Sequence, residues 1–330
     1  MRVMVTGGTG YIGSHTVQQL KKEGHVVVVY DSMEFGSKRA VGDTILVEGD
    51  TANEALLEQT FHDYHIEAVI HMAAYKAVGE SVAQPYKYFK NNVSGTLSLL
   101  EAMHRANVKY IVFSSSAAVY GTPDVIPVSE TNAVHPESPY GESKRMVEQL
   151  LSWYDKCHGL RSVSLRYFNA AGASLDASIG EDWTYSQNLI PWVMKAALGK
   201  IPALQVFGTD YPTPDGTAIR DYIHILDLAD AHVKALHFLQ TQNRSEIFNL
   251  GVGKGTSVQE IYDTTKRISG LPIPVEYVAR RAGDPVAVWA DNSKAKEMLG
   301  WQPQYTLEDI IRTAWQWYLQ QYGNKPAGKR

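Results

Sequence analysis

Short apolar runs alternate with amphipathic stretches along the first half of the chain. Each apolar run has the length of one strand, and the runs occupy residues 2–6, 25–30, 44–47, 68–71 and 110–113. Apolar residues with a helical period fill the intervals, chiefly at 14–23, 53–64 and 88–106. The alternation predicts an α/β protein with a doubly wound parallel sheet. In such a sheet ligands bind beyond the carboxyl ends of the strands.

A glycine-rich turn separates the first predicted strand from the first predicted helix. Its glycines are spaced Gly7-x-x-Gly10-x-x-Gly13, which departs from the stricter G-x-G-x-x-G of dinucleotide sites. Glycines at such a turn let the backbone approach a pyrophosphate, and the free N–H groups of the following helix face the phosphates. The strand, turn and helix together therefore favour a nucleotide site over a turn without a ligand.

An acidic residue, Asp31, ends the second predicted strand, 18 residues after Gly13. A carboxylate at this place accepts hydrogen bonds from the adenosine ribose hydroxyls and repels a 2′-phosphate. The sequence therefore predicts NAD rather than NADP as the cofactor. Lys38 and Arg39 would weaken that preference if they faced the ribose, but we expect them in a solvated loop.

Composition sets limits on function without changing this fold prediction. The chain has 330 residues, 44% hydrophobic and 20% charged, which is ordinary for a globular protein with room for two domains. A formal net charge of −4 argues against a general nucleic-acid binder, and the single cysteine, Cys157, excludes an internal disulfide or a cysteine-based zinc site. Without an apolar run of about 18 residues or a signal peptide, we expect a cytoplasmic, non-membrane protein. We expect disorder only in the tail, 323–330.

Tyr140 and Lys144 lie four residues apart in a helical stretch at 140–157, so both side chains project from one helix face. An ammonium beside a phenol favours the phenolate, which lowers the pKa of tyrosine and makes it a usable acid and base near neutral pH. This spacing alone also occurs on solvated helix faces. The catalytic interpretation is supported by Ser116, which lies in a serine cluster at the end of a strand, 24 residues before Tyr140.

The glycine-rich turn, Asp31, Ser116 and the Tyr140–Lys144 pair follow the order found in the extended short-chain dehydrogenase/reductase family, which the chain resembles. Five further stretches are similar to those of the UDP-glucose 4-epimerase family, at 76–81, 166–169, 207–212, 215–224 and 280–284. The likeness runs from residue 1 to about residue 318. It implies a bound NAD⁺ that takes a hydride from C4 of UDP-galactose or UDP-glucose and returns it to the other face of a 4-keto sugar.

The resemblance also implies roles for individual residues. Tyr140 is the acid and base, Lys144 keeps it acidic and bonds the nicotinamide ribose, Ser116 orients the 4-oxygen, and no metal is implied. Cofactor positions are implied for Gly7, Gly10, Tyr11, Ile12, Gly13, Asp31, Ser32, Asp50, Thr51, Met72, Ala73, Ala74, Lys76, Asn91, Ser116, Tyr140, Lys144 and Phe168. UDP-sugar positions are implied for Ser116, Tyr140, Asn169, Asn188, Leu189, Gln205, Val206, Phe207, Arg220, Arg281, Asp284 and Val288.

Two arginines of the implied sugar site suit a diphosphate. Arg220 and Arg281 lie in loop-like stretches, and a guanidinium can pair two phosphate oxygens at once. The alternative for both is a surface ion pair with a neighbouring aspartate such as Asp221 or Asp284. We favour the role in ligand binding.

The chain departs from the family pattern at several places near the implied site. Ala118 replaces a threonine after Ser116, residues 72–75 read Met-Ala-Ala-Tyr, and Thr51 replaces an aliphatic residue beside the adenine. Val288 stands where some relatives have a tyrosine against the sugar. Unless other side chains fill the space, this smaller residue leaves room beside C2 of the hexose. We therefore hypothesise that UDP-N-acetylhexosamines are epimerised too.

Three other functions remain open on this fold. The nearest is a nucleotide-sugar 4,6-dehydratase or decarboxylase; a dehydratase needs an acid/base pair just after the serine, where Ala117 and Ala118 cannot transfer a proton. A non-catalytic NAD-sensing protein would be expected to have lost Ser116, Tyr140 or Lys144. An alcohol dehydrogenase that exchanges NAD(H) with solvent would need added cofactor.

We expect two interleaved domains with the active site in the cleft between them. An NAD-binding Rossmann domain is expected over 1–170 and a smaller α/β UDP-sugar-binding domain over 171–330. The segment at about 221–251 is expected to return to the main sheet as a helix from 221 and a strand at 247–251. The resemblance implies a homodimer in which helices 88–106 and 140–157 pack as a four-helix interface, although their apolar faces could equally belong to the core.

Overall fold

A seven-stranded parallel sheet forms the centre of the fold. The computed structural model describes residues 1–281 and 283–323. In spatial order the strands are β3 (Ile45–Glu48), β2 (Val26–Asp31), β1 (Arg2–Thr6), β4 (Ala68–His71), β5 (Tyr110–Ser114), β6 (Arg161–Tyr167) and β11 (Glu246–Leu250). The order reverses at β1, and such a switch point is where doubly wound sheets bind ligands. The predicted fold class is therefore confirmed, with strand bounds within one residue of those expected.

The strands are apolar along their length because both faces of the sheet are covered. Val3, Met4 and Val5 of β1 and Val69 and Ile70 of β4 are all fully buried. One face packs against α1 (Tyr11–Lys22), α8 (Ile225–Gln242) and α10 (Ser293–Leu299). The other packs against α2 (Glu54–Asp63), α5 (Gly95–Arg105) and α6 (Pro139–His158).

The remaining elements are shorter or lie mostly in the second half of the chain. The helices are α3 (Val78–Ala83), α4 (Pro85–Tyr88), α7 (Leu189–Ala197), α9 (Val258–Ser269) and α11 (Leu307–Tyr322), with single 3₁₀ turns at Lys38–Ala40 and Ala117–Tyr120. The strands are β7 (Asn169–Ala171), β8 (Leu204–Phe207), β9 (Ile219–Arg220), β10 (Tyr222–His224), β12 (Thr256–Ser257), β13 (Val275–Val278) and β14 (Ala287–Val288). These strands form three small sheets, β10–β7, β12–β9–β14 and β13–β8.

Helix α6, which carries Tyr140 and Lys144, has clear start and stop signals. Ser138 caps its first turn by accepting a hydrogen bond from the Gly141 N–H (3.1 Å), and Pro139 occupies the first helical position. Gly159 ends the helix in the left-handed conformation at φ 67°. These start and stop residues determine where the helix begins and ends, and so which of its faces packs against the sheet.

The helix expected at 88–106 is interrupted. A π-helical segment, Phe89–Ser94, separates α4 from α5. Within it, Asn92 accepts a hydrogen bond from the Tyr75 N–H (2.9 Å) and donates one to the Tyr75 carbonyl (3.0 Å). The apolar period of this stretch predicts a helix but contains no signal for the wider turn that brings Asn92 to the loop after β4.

The segment 221–251 supplies β10, α8 and β11, and β11 pairs in parallel with β6. The helix expected from residue 221 begins only at Ile225, so that expectation is wrong for its first turn. The buried carboxylate of Asp221 accepts hydrogen bonds from the backbone N–H groups of Val252, Gly253 and Ala290 (2.8–3.2 Å). These bonds hold the chain extended before α8.

Helices α7, α9 and α11 pack around a second core, which includes Trp183, Ile190, Met194, Ile311 and Tyr318. Within the described residues, no helix is both long enough and apolar enough to cross a membrane. Disorder was expected over residues 323–330, and of these 324–330 lie outside the described residues.

Candidate active site

The carboxyl ends of the parallel strands bring the predicted cofactor residues to one edge of the sheet. Gly7 and Gly10 follow β1, Asp31 ends β2 and Ser32 follows it, Asp50 and Thr51 follow β3, Met72, Ala73, Ala74 and Lys76 follow β4, Ser116 follows β5, and Phe168 follows β6. Parallel pairing places all of these ends on the same side. The structure therefore assembles at one edge residues that are far apart along the chain.

The glycine-rich turn is shaped as a backbone cradle. Gly7 has a φ of +69°, and a Cβ there would lie 2.7 Å from the Ala73 backbone nitrogen. A Cβ on Gly13 would overlap the carbonyl oxygen of Gly7. Helix α1 then begins at Tyr11, after Gly10, with no side-chain cap on its first N–H groups. Free N–H groups beside a turn with no side chains fit the pyrophosphate of a dinucleotide.

Asp31 lies beside this cradle and is 8% exposed. Its Oδ2 accepts a hydrogen bond from the Thr9 N–H (3.0 Å) and its Oδ1 from the Met33 N–H (2.9 Å). A carboxylate has about four acceptor sites, so capacity remains for ribose hydroxyls. The buried Thr9 hydroxyl has no hydrogen-bond partner within the described residues. Lys38, in the turn Lys38–Ala40, is exposed.

The loop after β4 connects the sheet edge to the second half of the chain. Lys76 Nζ donates a hydrogen bond to Glu181 Oε1 (3.2 Å), which also accepts one from Asn188 Nδ2 (3.1 Å). Asn91, from the π-helical segment, donates to Asn92 Oδ1 (2.9 Å). A predicted cofactor residue, Lys76, thereby shares a partner with a predicted sugar residue, Asn188.

Ser116, Tyr140 and Lys144 converge where α6 packs against the end of β5. Lys144 Nζ lies 5.9 Å from the centre of the Tyr140 ring. The Ser116 side chain lowers the pKa of Tyr140, and its Oγ accepts a hydrogen bond from the Ala118 N–H (3.1 Å). Lys144 Nζ donates to the Ser114 carbonyl (2.8 Å). A phenol, an ammonium group and a hydroxyl are thus held together on rigid elements.

Burial dominates the protonation of this group. It raises the pKa of Tyr140 above the ordinary 10.0, and the hydrogen bond to Ser116 opposes it only in part. Burial also lowers the pKa of Lys144 to about 7, against the Glu148 carboxylate, which raises it. The expected lowering of the Tyr140 pKa is therefore wrong for the protein side chains alone. Burial disfavours the phenolate more than the hydrogen bond to Ser116 favours it.

A cavity of about 530 Å³ lies beyond the carboxyl end of β6 and is lined by residues between 169 and 318, and its volume is within the usual size of small-molecule sites. Eight of the predicted UDP-sugar residues line it: Asn169, Asn188, Leu189, Gln205, Phe207, Arg220, Arg281 and Asp284. Tyr11 approaches the same wall, because its hydroxyl donates to the Gly172 carbonyl (2.7 Å). These eight predicted residues therefore surround one space.

The two arginines of this cavity differ in their partners. Arg220 Nη2 donates to Asp284 Oδ1 (2.7 Å), the ion pair considered as its alternative role. The Arg281 guanidinium instead lies over the Phe207 ring, 3.7 Å from its centre, and the residue is exposed. Both line the cavity, so two guanidinium groups can meet an anionic ligand there.

The other four predicted sugar residues do not line the cavity. Ser116 and Tyr140 lie at the sheet edge, as described above, and the Val206 side chain is buried in the core behind β8. Val288 pairs with Arg220 across β14 and β9 and packs against a small apolar cluster that contains Phe168. Val288 therefore contacts both the strand of the cavity arginine and the apolar cluster that follows Ser116.

Three buried charged residues near the site were missed as candidates. Glu148 lies one turn beyond Lys144 on α6, a signal that the four-residue spacing could have revealed. Arg166 stands inside the stretch 166–169 but had no role assigned. Glu181, in the loop between β7 and α7, carries no periodic signal and is found only through its contacts with Lys76 and Asn188.

One group of side chains within the described residues is close enough to hold a metal ion. The candidate ligand atoms of Glu23, His25 and His237 lie within 4.8 Å of one another. Glu23 and His25 precede β2, at the edge of the sheet opposite to the predicted cofactor residues. This group therefore has no part in the candidate site.

Comparison with protein families gives one match over most of the chain. The sequence profile of the NAD dependent epimerase/dehydratase family matches residues 3–251. A UDP-glucose 4-epimerase from Lactobacillus helveticus is 47% identical over 320 residues, which are 96% of this chain and 97% of that protein.

Two solved structures of 4-epimerases are also similar to this chain. The UDP-glucose 4-epimerase of Stenotrophomonas maltophila, solved with bound NAD and formylated UDP-arabinopyranose, superimposes with a TM-score of 0.94 at 43% identity, covering 97% of this chain and 98% of that one. The UDP-Glc/GlcNAc 4-epimerase of Campylobacter jejuni reaches a TM-score of 0.86 at 39% identity, with 97% and 99% coverage.

Proposed function

Because the chain belongs to the NAD dependent epimerase/dehydratase family, we propose that it is a UDP-glucose 4-epimerase that interconverts UDP-galactose and UDP-glucose. The observation that carries this proposal is the grouping of Ser116, Tyr140 and Lys144 at the sheet edge, next to a cavity lined by arginines. Similarity to 4-epimerases over nearly the whole chain supports it.

The cofactor is NAD, and the backbone cradle fits it. Gly7, Gly10 and the first turn of α1 would hold the pyrophosphate, and Asp31 would accept the ribose hydroxyls. When bound, NAD⁺ supplies a reversible hydride acceptor for C4 of the sugar and a positive charge near Tyr140. That charge favours the phenolate and so works against the burial that raises the pKa of Tyr140.

Tyr140 is the group that moves the proton. As phenolate it takes the proton of the sugar 4-hydroxyl, and as phenol it returns the proton when the alcohol forms again. Ser116 would orient the oxygens, and the Lys144 ammonium group, 5.9 Å from the centre of the Tyr140 ring, would favour the charged form of the phenol. A base that must give its proton back needs a pKa near the working pH, so these neighbours set the rate in both directions.

The UDP-sugar occupies the cavity that begins at Asn169, beyond the end of β6. Arg281 and Arg220 would bind the diphosphate, and Asn169, Asn188 and Gln205 supply polar groups along the wall. The sugar must reach Tyr140 and Ser116 from this cavity. Phe168 links the two places, because it ends the β6 region beside Asn169 and packs against Val119 and Tyr120, which follow Ser116.

A 4,6-dehydratase fits the site poorly. Ala117 and Ala118 form the turn directly after Ser116, where a dehydratase would need its added acid/base pair. Alanine has no group that can remove the C5 proton or expel the C6 hydroxyl. Epimerisation requires the protein side chains only to transfer the proton at O4, and Tyr140 and Ser116 can do this.

Epimerisation of UDP-N-acetylhexosamines is part of the proposal. Val288 lies beside Arg220 and packs against the cluster around Phe168, so a small side chain adjoins the route of the sugar. The similar UDP-Glc/GlcNAc 4-epimerase of Campylobacter jejuni supports this extension.

The wider setting follows from the family resemblance. We infer a homodimer built through the helical stretches 88–106 and 140–157, a cytoplasmic location and a part in galactose metabolism. Trp153 of α6 and Leu97 of α5 are 62% and 43% exposed, which supports an interface on this side of the molecule. We also propose the domain division at residue 170, with the UDP-sugar bound by 171–330.

The proposed function is tested by incubating the purified protein with UDP-galactose and separating the UDP-sugars by chromatography. We expect UDP-glucose to form without added NAD⁺. Failure to form it even with added NAD⁺ would reject the 4-epimerase proposal for this sugar.

A further inference from the structure

A buried ion pair lies against the group of Ser116, Tyr140 and Lys144. Arg166 of β6 donates from Nε to Glu148 Oε1 (2.9 Å) and from Nη2 to Glu148 Oε2 (2.5 Å), which is the bidentate geometry of the strongest charged hydrogen bonds. The two side chains are only 5% and 7% exposed. Neither residue has a role in the proposed reaction.

The pair connects the elements that carry the catalytic side chains. Glu148 Oε1 accepts a hydrogen bond from Ser115 Oγ (2.6 Å), and Ser115 lies between Ser114, whose carbonyl receives Lys144 Nζ, and Ser116. The turn after β5 is thereby tied to α6 at two points. The first link is the hydrogen bond from the Lys144 ammonium group to the Ser114 carbonyl. The second is the hydrogen bond from Ser115 to the Glu148 carboxylate, one helical turn further on.

Arg166 extends the connection across the sheet. Its Nη1 donates to the Tyr120 hydroxyl (2.9 Å), which in turn donates to Asn249 Oδ1 (2.7 Å) in β11. Both Tyr120 and Asn249 are buried. A chain of bonds thus runs from α6 through β6 to β11 and keeps the end of the Ser116 turn in place.

Glu148 also supplies the negative charge that acts on Lys144. The other titratable groups around this lysine and its partner tyrosine are His71 of β4, Tyr140 itself, Tyr88 of α4 and Tyr167 of β6. Burial lowers the pKa of His71 to about 3 and raises the pKa of each tyrosine, so burial disfavours the charged form of all four.

We propose that Glu148 and Arg166 are positioning residues for the reaction, a role that rests on the proposed function. Their ion pair fixes the Ser114–Ser116 turn against α6, and the Glu148 carboxylate favours the charged form of Lys144 against the effect of burial. A buried ion pair adds little to stability, because desolvation offsets most of the attraction. Its effect here is on the geometry and the charge of the site.

The test compares two glutamates of the same helix. E148Q removes the buried carboxylate, whereas E142Q removes the carboxylate of the surface pair Glu142–Arg145, whose side chains are 34% and 39% exposed. The pKa of Lys144 is measured by NMR in protein labelled with [¹³Cε]lysine, with the signal assigned by its loss in Lys144→Arg. We expect a fall of about one unit in E148Q and no change in E142Q.

Activity provides the second readout. We expect E148Q to reduce kcat for UDP-galactose about tenfold with little change in KM, and to move the alkaline limb of the pH profile of kcat to lower pH. R166K keeps the positive charge but loses the bidentate fork. It should reduce kcat without lowering the pKa of Lys144, which separates the effect of position from the effect of charge.

An unchanged Lys144 pKa and an unchanged pH profile in folded E148Q would overturn the proposal, as would an equal loss of kcat in E142Q. If E148Q does not fold, the double variant E148Q/R166Q removes both charges together, and wild-type kcat in it would also overturn the proposal. The NMR titration needs no substrate. A wild-type protein without epimerase activity would therefore reject the proposed function and leave the effect on Lys144 separately measurable.

Discussion

Lys144 Nζ lies 5.9 Å from the centre of the Tyr140 ring, one turn further along the same helix, and both side chains are buried. Burial disfavours the charged form of each residue, so neither the phenolate nor the ammonium is favoured by its surroundings alone. Burial therefore favours the neutral form of both side chains. Small electrostatic changes, such as the charge of a bound cofactor, decide which form prevails.

Replacing Tyr140 with phenylalanine should remove proton transfer and leave binding in place. We expect kcat for UDP-galactose to fall about 10²- to 10⁴-fold while the purified variant keeps its NAD. Turnover and the cofactor released on denaturation are both measured. Tyr86→Phe is the matched control, because Tyr86 is 75% exposed and should retain full activity. A Tyr140→Phe variant with more than a tenth of wild-type activity would assign the proton to another group.

Raising the pH should stabilise the wild type relative to Lys144→Met. The pKa of Lys144 falls from 10.5 in the unfolded chain to about 7 in the folded protein, so the unfolded state binds more protons between these values. The contribution of Lys144 to the free energy of unfolding is therefore lowest below pH 7 and increases as the pH rises toward 10. We expect about 1.4 kcal/mol per pH unit over that window, from urea unfolding of both proteins. A constant difference between them would show that Lys144 does not have a lowered pKa.

Gly13→Ala should impair the cradle for the pyrophosphate. The added Cβ would overlap the Gly7 carbonyl oxygen, which is backbone and can move little. Overpacking of this kind costs about 1–3 kcal/mol, and we expect reduced NAD content together with a lower Tm. Gly79→Ala is the control, since a Cβ there meets nothing within 4 Å. Equal NAD content in both variants would place the pyrophosphate elsewhere.

Asp31→Ser should weaken the preference for NAD over NADP. The substitution removes a charged acceptor for the ribose hydroxyls and the repulsion of a 2′-phosphate. One charged hydrogen bond corresponds to about a tenfold or greater change in affinity, so we expect the ratio of the two dissociation constants to fall by at least that factor. Cofactor binding is measured on protein reconstituted after release of its nucleotide. Asp43→Ser, at a surface pair with Lys21, serves as the control. An unchanged ratio would contradict the assigned role of Asp31.

Val288→Tyr should narrow the range of accepted sugars. The larger side chain would fill the space near C2, so we expect kcat/KM for UDP-N-acetylglucosamine to fall at least about tenfold and that for UDP-galactose to change little. Val286→Tyr, two residues earlier and 36% exposed, is the control. If the wild type does not act on UDP-N-acetylglucosamine at all, the extension to N-acetylated sugars is wrong.

The sheet could be predicted from sequence because its strands are apolar on both faces and end in turn residues. Runs such as 68–71 have no competing helical period, and parallel pairing then places every strand end at one edge. Candidate residues at those ends, including Gly7, Asp31 and Ser116, therefore come together without further information.

Other features depend on contacts that no local pattern records. Within the π-helical segment Phe89–Ser94, Asn92 forms a hydrogen bond with a distant loop. Strand β10 is held extended by hydrogen bonds that Asp221 accepts from the backbone of residues 252, 253 and 290. The direction of the Tyr140 pKa shift depends on burial, which the spacing of Tyr140 and Lys144 does not reveal. Glu148 shares that helical spacing, but its partner Arg166 is brought to it only by the fold.

The most direct test of the 4-epimerase function is a proton NMR time course of purified protein with UDP-galactose and no added cofactor, following the anomeric signals. We predict growth of the UDP-glucose signal toward a mixed equilibrium, which would establish an epimerase that carries its own NAD. Signals that stay unchanged even after NAD⁺ is added would contradict the function. A methyl signal from a 6-deoxy-4-keto sugar would instead identify a dehydratase, despite the two alanines after Ser116.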